Sequence, residues 1–341
     1  MNLTTPPLTD PTPLLRIRDC LYGDDMMVAG LVWLDFFTWL DTNPGATLSS
    51  VGTHFGLQPR GADVMLTYFK ARQLVEEVEG GLRLTPVARE HFVAESPWFM
   101  GPYYASLKDR PIAKDLLEVM RSDRPANWGS QQEIDDWHAS METEPFATQF
   151  TAAMDCRGIY LAQVLAKALD FSGHRHLLDI GGGSAIYACS LLAHHPHLRG
   201  TVMEKSPVDG IARRAIEQRG FSDRIAVVAG DMFVQEIPPE ADAHLFSNVL
   251  HDWAEAEVRT LLARSYAALP DGGMLIVHDA FLNASKDGPL HVAEYSVMLM
   301  HATQGRCYSS REIGDWAETC GFHSISYRDT AAARGVLTAL K

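Results

Sequence analysis

The sequence predicts an α/β protein: a doubly wound, mostly parallel seven-stranded sheet with an antiparallel edge hairpin, preceded by a mostly helical module of winged-helix layout. Three observations predict it. From residue 176 onward, short aliphatic and β-branched runs alternate with helix-length segments, the pattern of a parallel sheet covered on both faces by helices. The last two runs, "HSISYRD" and "GVLTAL", are separated only by "TAAAR", which suits a hairpin and not a crossover. Ahead of the sheet, the stretch from Thr47 to Phe92 reads as helix, turn, helix and a short hairpin at Gly80-Gly81.

Taken in order, the chain opens with a Pro-rich arm, "MNLTTPPLTDPTPLL", that lacks the basic and apolar regions of a secretory leader. Residues 26–40, "MMVAGLVWLDFFTWL", are too short to span a bilayer and carry Asp35, so a buried helix is expected. Being apolar on nearly all sides, it offers a second face to another subunit, which predicts a homodimer. Residues 59–73 form the second helix of the winged-helix layout and carry Arg60, Lys70 and Arg72. Three cations do not make a DNA-reading surface on a chain of net charge −14, so the module is expected to pack and not to bind nucleic acid or anionic membrane. Residues 98–172 read as a helical connector whose Phe146, Phe150 and Met154 serve a core or a pocket, and 173–341 as the sheet domain. Residues 1–97 are the N-terminal domain; 341 residues exceed what one core usually holds. Five cysteines without C-x-x-C spacing fit a reducing cytoplasm and argue against a zinc or disulfide framework. A small-molecule partner is favoured.

In an open parallel sheet, ligands sit outside the carboxyl ends of the strands, so the residues just beyond each run matter most. The first run, "HLLDI", leads from Asp179 into Gly181-Gly182-Gly183; the second, "GTVME", ends in Glu204. The third ends in Asp231-Met232, the fourth in His251-Asp252-Trp253 and the fifth in Asp279. The glycines let backbone approach a ligand, and an acid about twenty residues later can accept from both ribose hydroxyls. Asp231 can accept from an adenine amine. Acids at three consecutive strand ends therefore point to an adenosine site. "GGGSAIY" lacks the last glycine of a dinucleotide fingerprint.

The series "LLDIGGGSAIYACSLL", "VMEKSPV", "VVAGDMF", "SNVLHDW", "LPDGGMLIVHDAF" and "GRCYSSREIGDWAETCGF" resembles the class I S-adenosylmethionine-dependent small-molecule O-methyltransferases, the caffeate, hydroxyindole and bacterial polyketide enzymes, over residues 20–341. The resemblance implies a Rossmann-like sheet with a dimerising winged-helix domain, and S-adenosylmethionine as cofactor. It implies that Asp179 and Gly181, Gly182 and Gly183 hold the methionine portion, Glu204 the ribose, and Asp231, Met232 and the adjoining Phe233 the adenine. Ser247 falls near the cofactor where some members have a cation. His251 matches the general base and Asp279 an acid flanking it. Phe150, Met154 and Trp253 match the wall of the acceptor cavity, and Met298 and His301, on the Met-rich helix "EYSVMLMHATQGR", lie near the expected acceptor site. Two departures stand out: Ala185 replaces a loop glycine, and Cys307 stands where plant members carry a second flanking glutamate.

The chemistry asked of His251 is demanding. A phenol near pKa 10 and an imidazole near 6.5 differ by roughly 3.5 units, about 5 kcal/mol, so a carboxylate on the far ring nitrogen is needed, and Asp279 is the candidate. The expected activity is methyl transfer to a phenolic hydroxyl of a small aromatic or secondary-metabolite acceptor. Nitrogen or carbon methylation, or non-methylating chemistry with the cofactor bound, is the alternative. "AHHPH" (His194, His195, His197) is expected to be a solvated helix end and not a metal site.

Overall fold

The computed structural model describes residues 3–126 and 137–341. These form two compact units that are not consecutive in sequence: Arg16–Asp136 with Leu282–Ser309, and Met1–Leu15 with Trp137–Phe281 and Ser310–Lys341. The segment Leu282–Ser309 thus groups with the N-terminal residues, although its sequence pattern had placed it in the sheet domain.

In the helical unit, Thr47 caps helix Leu48–Phe55 in a reciprocal box with Ser50, and Gly56, at φ 65°, ends it. Pro59 then starts helix Pro59–Ala71 at a position whose N–H has no intrahelical partner in any case. The hairpin of β1 (Val75–Val78) and β2 (Gly81–Leu84) turns through Glu79 and Gly80, both at positive φ. The three cations of the second helix are engaged within the unit. Arg60 bonds Asp123 and the carbonyls of Met300, Thr303 and Gly305; Lys70 bonds Glu77 at 3.1 Å and Arg72 bonds Glu294 at 2.6 Å.

Residues 26–40 are not one helix. Helix Gly23–Val28 widens into a π-helical turn, Ala29–Trp33, and the chain breaks at Asp35, φ 49°, before helix Phe36–Thr42. The break buries Met26, Val28 and Ala29 on one side of it and Phe36, Phe37 and Leu40 on the other, while Trp33 stays exposed. Phe36, Phe37 and Phe69 form the centre of this core, with ring centroids 4.9–5.4 Å apart.

The sheet unit holds seven strands: β3 (His176–Ile180), β4 (Arg199–Glu204), β5 (Ile225–Ala229), β6 (Ala243–Ser247), β7 (Met274–Asp279), β8 (His323–Asp329) and β9 (Gly335–Leu340). Their order is β5-β4-β3-β6-β7-β9-β8, with β3 to β7 parallel and β9 antiparallel to both neighbours. The predicted α/β architecture and its edge hairpin are therefore present. The order reverses between β3 and β6, the crevice where such sheets bind ligands. Leu177, Leu178, Ile180, Val202, Leu245, Phe246, Ile276 and Val277 are fully buried, as expected of strands covered on both faces. No helix among the described residues is long and apolar enough to cross a membrane.

Phe69→Ala should lower the unfolding free energy by about 3–5 kcal/mol in urea titration; a loss below about 1 kcal/mol would remove the ring cluster from the centre of its unit.

Candidate active site

The site is built from the carboxyl ends of β3 to β7. After β3 the loop passes through Gly181, Gly183 and Ala185, all at positive φ (68°, 58° and 62°), before helix Ile186–His194. The methyl of Ala185 is accepted in this left-handed position and is completely buried. Gly182 is required by space: a Cβ there would lie 2.7 Å from the Asp179 carboxyl.

Asp179 is buried beneath this loop, its Oδ2 accepting from the Ala188 N–H at 3.3 Å. Its Oδ1 has no hydrogen-bond partner among the described residues. Burial pushes the carboxyl up to about 7, against the Ala188 N–H and helped by the Glu204 charge. Glu204, ending β4, accepts from the Gly183 N–H at 2.8 Å and the Lys205 N–H at 3.1 Å, so the acid also ties the glycine loop to its neighbour strand. Burial raises it to about 7 as well. Asp231 follows β5, accepts from the Phe233 N–H at 2.8 Å and lies 3.5 Å from the Lys205 ammonium. The Met232 sulfur and the Val249 side chain lie 4.0 and 3.1 Å from where a Cβ on Gly181 would sit, which gathers the ends of β3, β5 and β6 on one rim. Phe233 meets Trp253 edge-on, centroids 4.5 Å apart.

Two acids with pKa values near neutrality, one with an orphaned buried oxygen, fit a ligand that brings donors and positive charge. An ammonium-bearing sulfonium nucleoside has both, in its amino-acid moiety and its ribose diol, so the residues present suit S-adenosylmethionine.

Beyond β6, Asn248 takes a left-handed turn (φ 53°) and Leu250–Asp252 form a 3-10 turn that presents His251. Helix Glu255–Ala268 begins only afterwards, with Ala254 at its N-cap. His251 is 3% exposed. Its Nδ1 bonds Asp279 Oδ1 at the end of β7, and that oxygen also accepts from the Ala280 N–H at 2.7 Å. Burial pushes Asp279 up, but the His251 charge and hydrogen bond, with smaller help from Ala280 and Arg334, hold it below the usual carboxylate range. On the other side of the ring, Asp252 Oδ1 lies 3.6 Å from Nε2, and burial raises that carboxyl to about 6.

Phe150 and Met154 lie on helix Glu144–Ala168, where Phe150 stacks on Phe146. One turn beyond Met154, the Arg157 charge acts on Asp252, Tyr187 and His278, so this face of the helix is turned toward the His251 end of the sheet. Ser247 bonds His278 Nδ1 across β6 and β7 at 2.9 Å. Met298 and His301 are buried in the helical unit, on helix Leu290–Ala302, where His301 faces Asp115 at 3.5 Å and the Tyr22 ring; Cys307 is buried in the same unit.

Sequence reasoning missed Asp155 and Arg219. Asp155 accepts from Ser184 Oγ and from Arg219, which also donates to the Ser184 carbonyl at 2.8 Å, bracing the glycine loop from behind. Only a serine within the glycine loop hinted at such a brace. Of the "AHHPH" histidines, His194 and His195 are half-buried and His197 is exposed as expected; all three are tied to backbone, bonding the carbonyls of Ser190, Ala166 and Phe171 at 2.9–3.1 Å.

A family model described as the O-methyltransferase domain matches residues 114–323. The chain is 32% identical, over 84% of its length and 83% of the relative's, to 3-hydroxy-5-methyl-1-naphthoate 3-O-methyltransferase from Streptomyces sahachiroi. It is 28% identical, over 86% of its length and 82% of the relative's, to L-tyrosine C(3)-methyltransferase from Streptomyces lavendulae. Among solved structures, an O-methyltransferase family 2 protein from Planctomyces limnophilus in complex with apigenin superposes with a TM-score of 0.91 at 31% identity, over 100% of this chain and 99% of that one.

A carboxyl raised to about 7 in the folded state and near 4 when unfolded makes the ligand-free protein lose stability as pH climbs from about 4 to about 7. At pH 8, ligand-free Asp179→Asn should therefore melt a few degrees above the parent while calorimetry shows at least a tenfold weaker affinity for S-adenosylmethionine. A lower melting temperature with unchanged affinity would make Asp179 a structural residue.

Proposed function

We propose that His251 is the general base for methylation of an aromatic hydroxyl in this chain, which belongs to the O-methyltransferase domain family of S-adenosylmethionine-dependent enzymes. The observation that carries the proposal is the buried hydrogen bond from His251 Nδ1 to Asp279.

When bound, the cofactor supplies a methyl already activated on a sulfonium, so the chain must align an acceptor and take one proton. The Asp279 carboxylate accepts at Nδ1, which leaves Nε2 as the basic nitrogen. As Nε2 takes the acceptor proton, the positive charge that develops on the ring meets an ionised Asp279 in a low-dielectric setting, which offsets part of the phenol–imidazole gap. Asp252, 3.6 Å from Nε2, adds a second negative charge on that side. Asp179 and the Gly181–Gly183 loop would hold the amino-acid end of the cofactor, Glu204 the ribose, and Asp231, Met232 and Phe233 the adenine, with Ser247 behind them. Trp253, Phe150 and Met154 give the acceptor an apolar wall suited to a flat ring. A hydroxylated aromatic acid is the first acceptor class to test, since one relative is named for a hydroxynaphthoate. The relative named a tyrosine C(3)-methyltransferase supports a second reading, transfer to a ring carbon activated by the same loss of a proton.

The helical unit exposes Trp33, Trp98, Met100, Tyr103 and Leu107, an apolar surface that a second copy of this chain would cover. The free cysteines suit a reducing cytoplasm.

His251→Ala, still binding cofactor within about twofold, should lose about 10²- to 10⁴-fold in kcat, read as S-adenosylhomocysteine release with hydroxynaphthoate and hydroxybenzoate acceptors. Parental turnover in that variant would remove His251 from the reaction, and a ring-methylated product would select the second reading. Trp98→Glu with Tyr103→Glu should halve the mass seen by light scattering; a parental mass already equal to one chain contradicts the dimer.

A further inference from the structure

The turn of the edge hairpin, beyond the residues matched by the family model, carries a buried cation. Arg334 is 4% exposed, and its Nε donates to Asn248 Oδ1 at 3.2 Å while Nη1 donates to the Ala332 carbonyl at 3.1 Å. Asn248 is the left-handed residue from which the chain turns toward His251, and its N–H bonds the His278 carbonyl at 2.8 Å.

A guanidinium can only donate, so it fixes which end of the Asn248 amide faces it. The amide nitrogen is thereby aimed at Tyr187 Oη, 3.0 Å away, and Ser247 Oγ, 3.2 Å away. Ser247 Oγ, receiving that donor, also hydrogen-bonds His278 Nδ1 at 2.9 Å. His278 Nε2 then faces Thr330 Oγ1 at 3.4 Å, and the Thr330 N–H returns to the Arg334 carbonyl at 2.8 Å. The result is a closed ring of hydrogen bonds that joins the hairpin turn to the ends of β6 and β7. Gly335, the next residue, pairs in register with Asp279, so the same turn is also tied through the backbone to the strand end whose carboxylate receives His251.

We infer that Arg334 is a positioning residue for His251: it locks the Asn248 turn through the side-chain amide. The inference rests on the reading of His251 as the base. Sequence could not show it, because the two residues lie on separate elements far apart along the chain.

The test compares Arg334→Met in the parental and His251→Ala backgrounds, using the acceptor that gives the parental enzyme its fastest S-adenosylhomocysteine release. Arg334→Met should lower kcat tenfold or more in the parental background, leave the KM for S-adenosylmethionine within twofold, and change the residual rate of His251→Ala by less than twofold. An equal fractional loss in both backgrounds, a loss confined to the cofactor KM, or an unchanged kcat overturns the assignment. If Arg334→Met does not fold, Asn248→Gly, which removes the amide while tolerating the left-handed backbone, is read by the same criteria. An active His251→Ala would instead overturn the base reading on which the inference stands.

Discussion

The buried hydrogen bond between His251 and Asp279 is the interaction around which the sheet unit is arranged. An imidazole and a carboxylate withdrawn from water are costly unless each satisfies the other, and here each also has backbone support: Ala280 donates to Asp279, and His251 sits in a turn fixed by Asn248. The register makes the meeting unavoidable. Ser247 pairs with His278, so Asp279 comes one residue beyond the last β6 pairing, where the 3-10 turn brings His251 back over the strand end. Gly335 lies opposite on β9, where any side chain would collide with the Tyr327 ring.

A second constraint operates at the ends of β3 and β4. Asp179 and Glu204 are held near neutrality by burial, a state that favours the protonated, ligand-free protein and leaves Asp179 Oδ1 unsatisfied. Such a site is less stable empty than an apolar equivalent would be. That cost supports the proposal that both acids serve a ligand. The brace of Asp155, Ser184 and Arg219 keeps the glycine loop shaped in spite of it.

The sheet strands were legible in the sequence, the parallel ones as aliphatic runs and the antiparallel edge pair as two runs joined by a link too short for a crossover, and the residues succeeding the parallel runs supplied the candidate site. The features that stayed hidden depend on distant partners. Arg334, Arg219 and Asp155 look like ordinary surface charges until the chain is folded. The break at Asp35 went unread because an all-apolar stretch has no periodicity to betray a change of direction. The grouping of Leu282–Ser309 with the helical residues is likewise a matter of long-range packing: its helix buries Val297 and Met300 in the core formed by Phe36, Phe37 and Phe69.

The central claim is that Asp279 fixes the tautomer of His251, with the proton on Nδ1 and Nε2 as the basic nitrogen. Nitrogen-15 NMR of the histidine-labelled protein at pH 8 reads this directly. The account predicts that the His251 signal shows a protonated Nδ1 and a bare Nε2, and that the Nδ1 proton resonance is lost in Asp279→Asn. A proton on Nε2, or a His251 signal indifferent to Asp279→Asn, would contradict it.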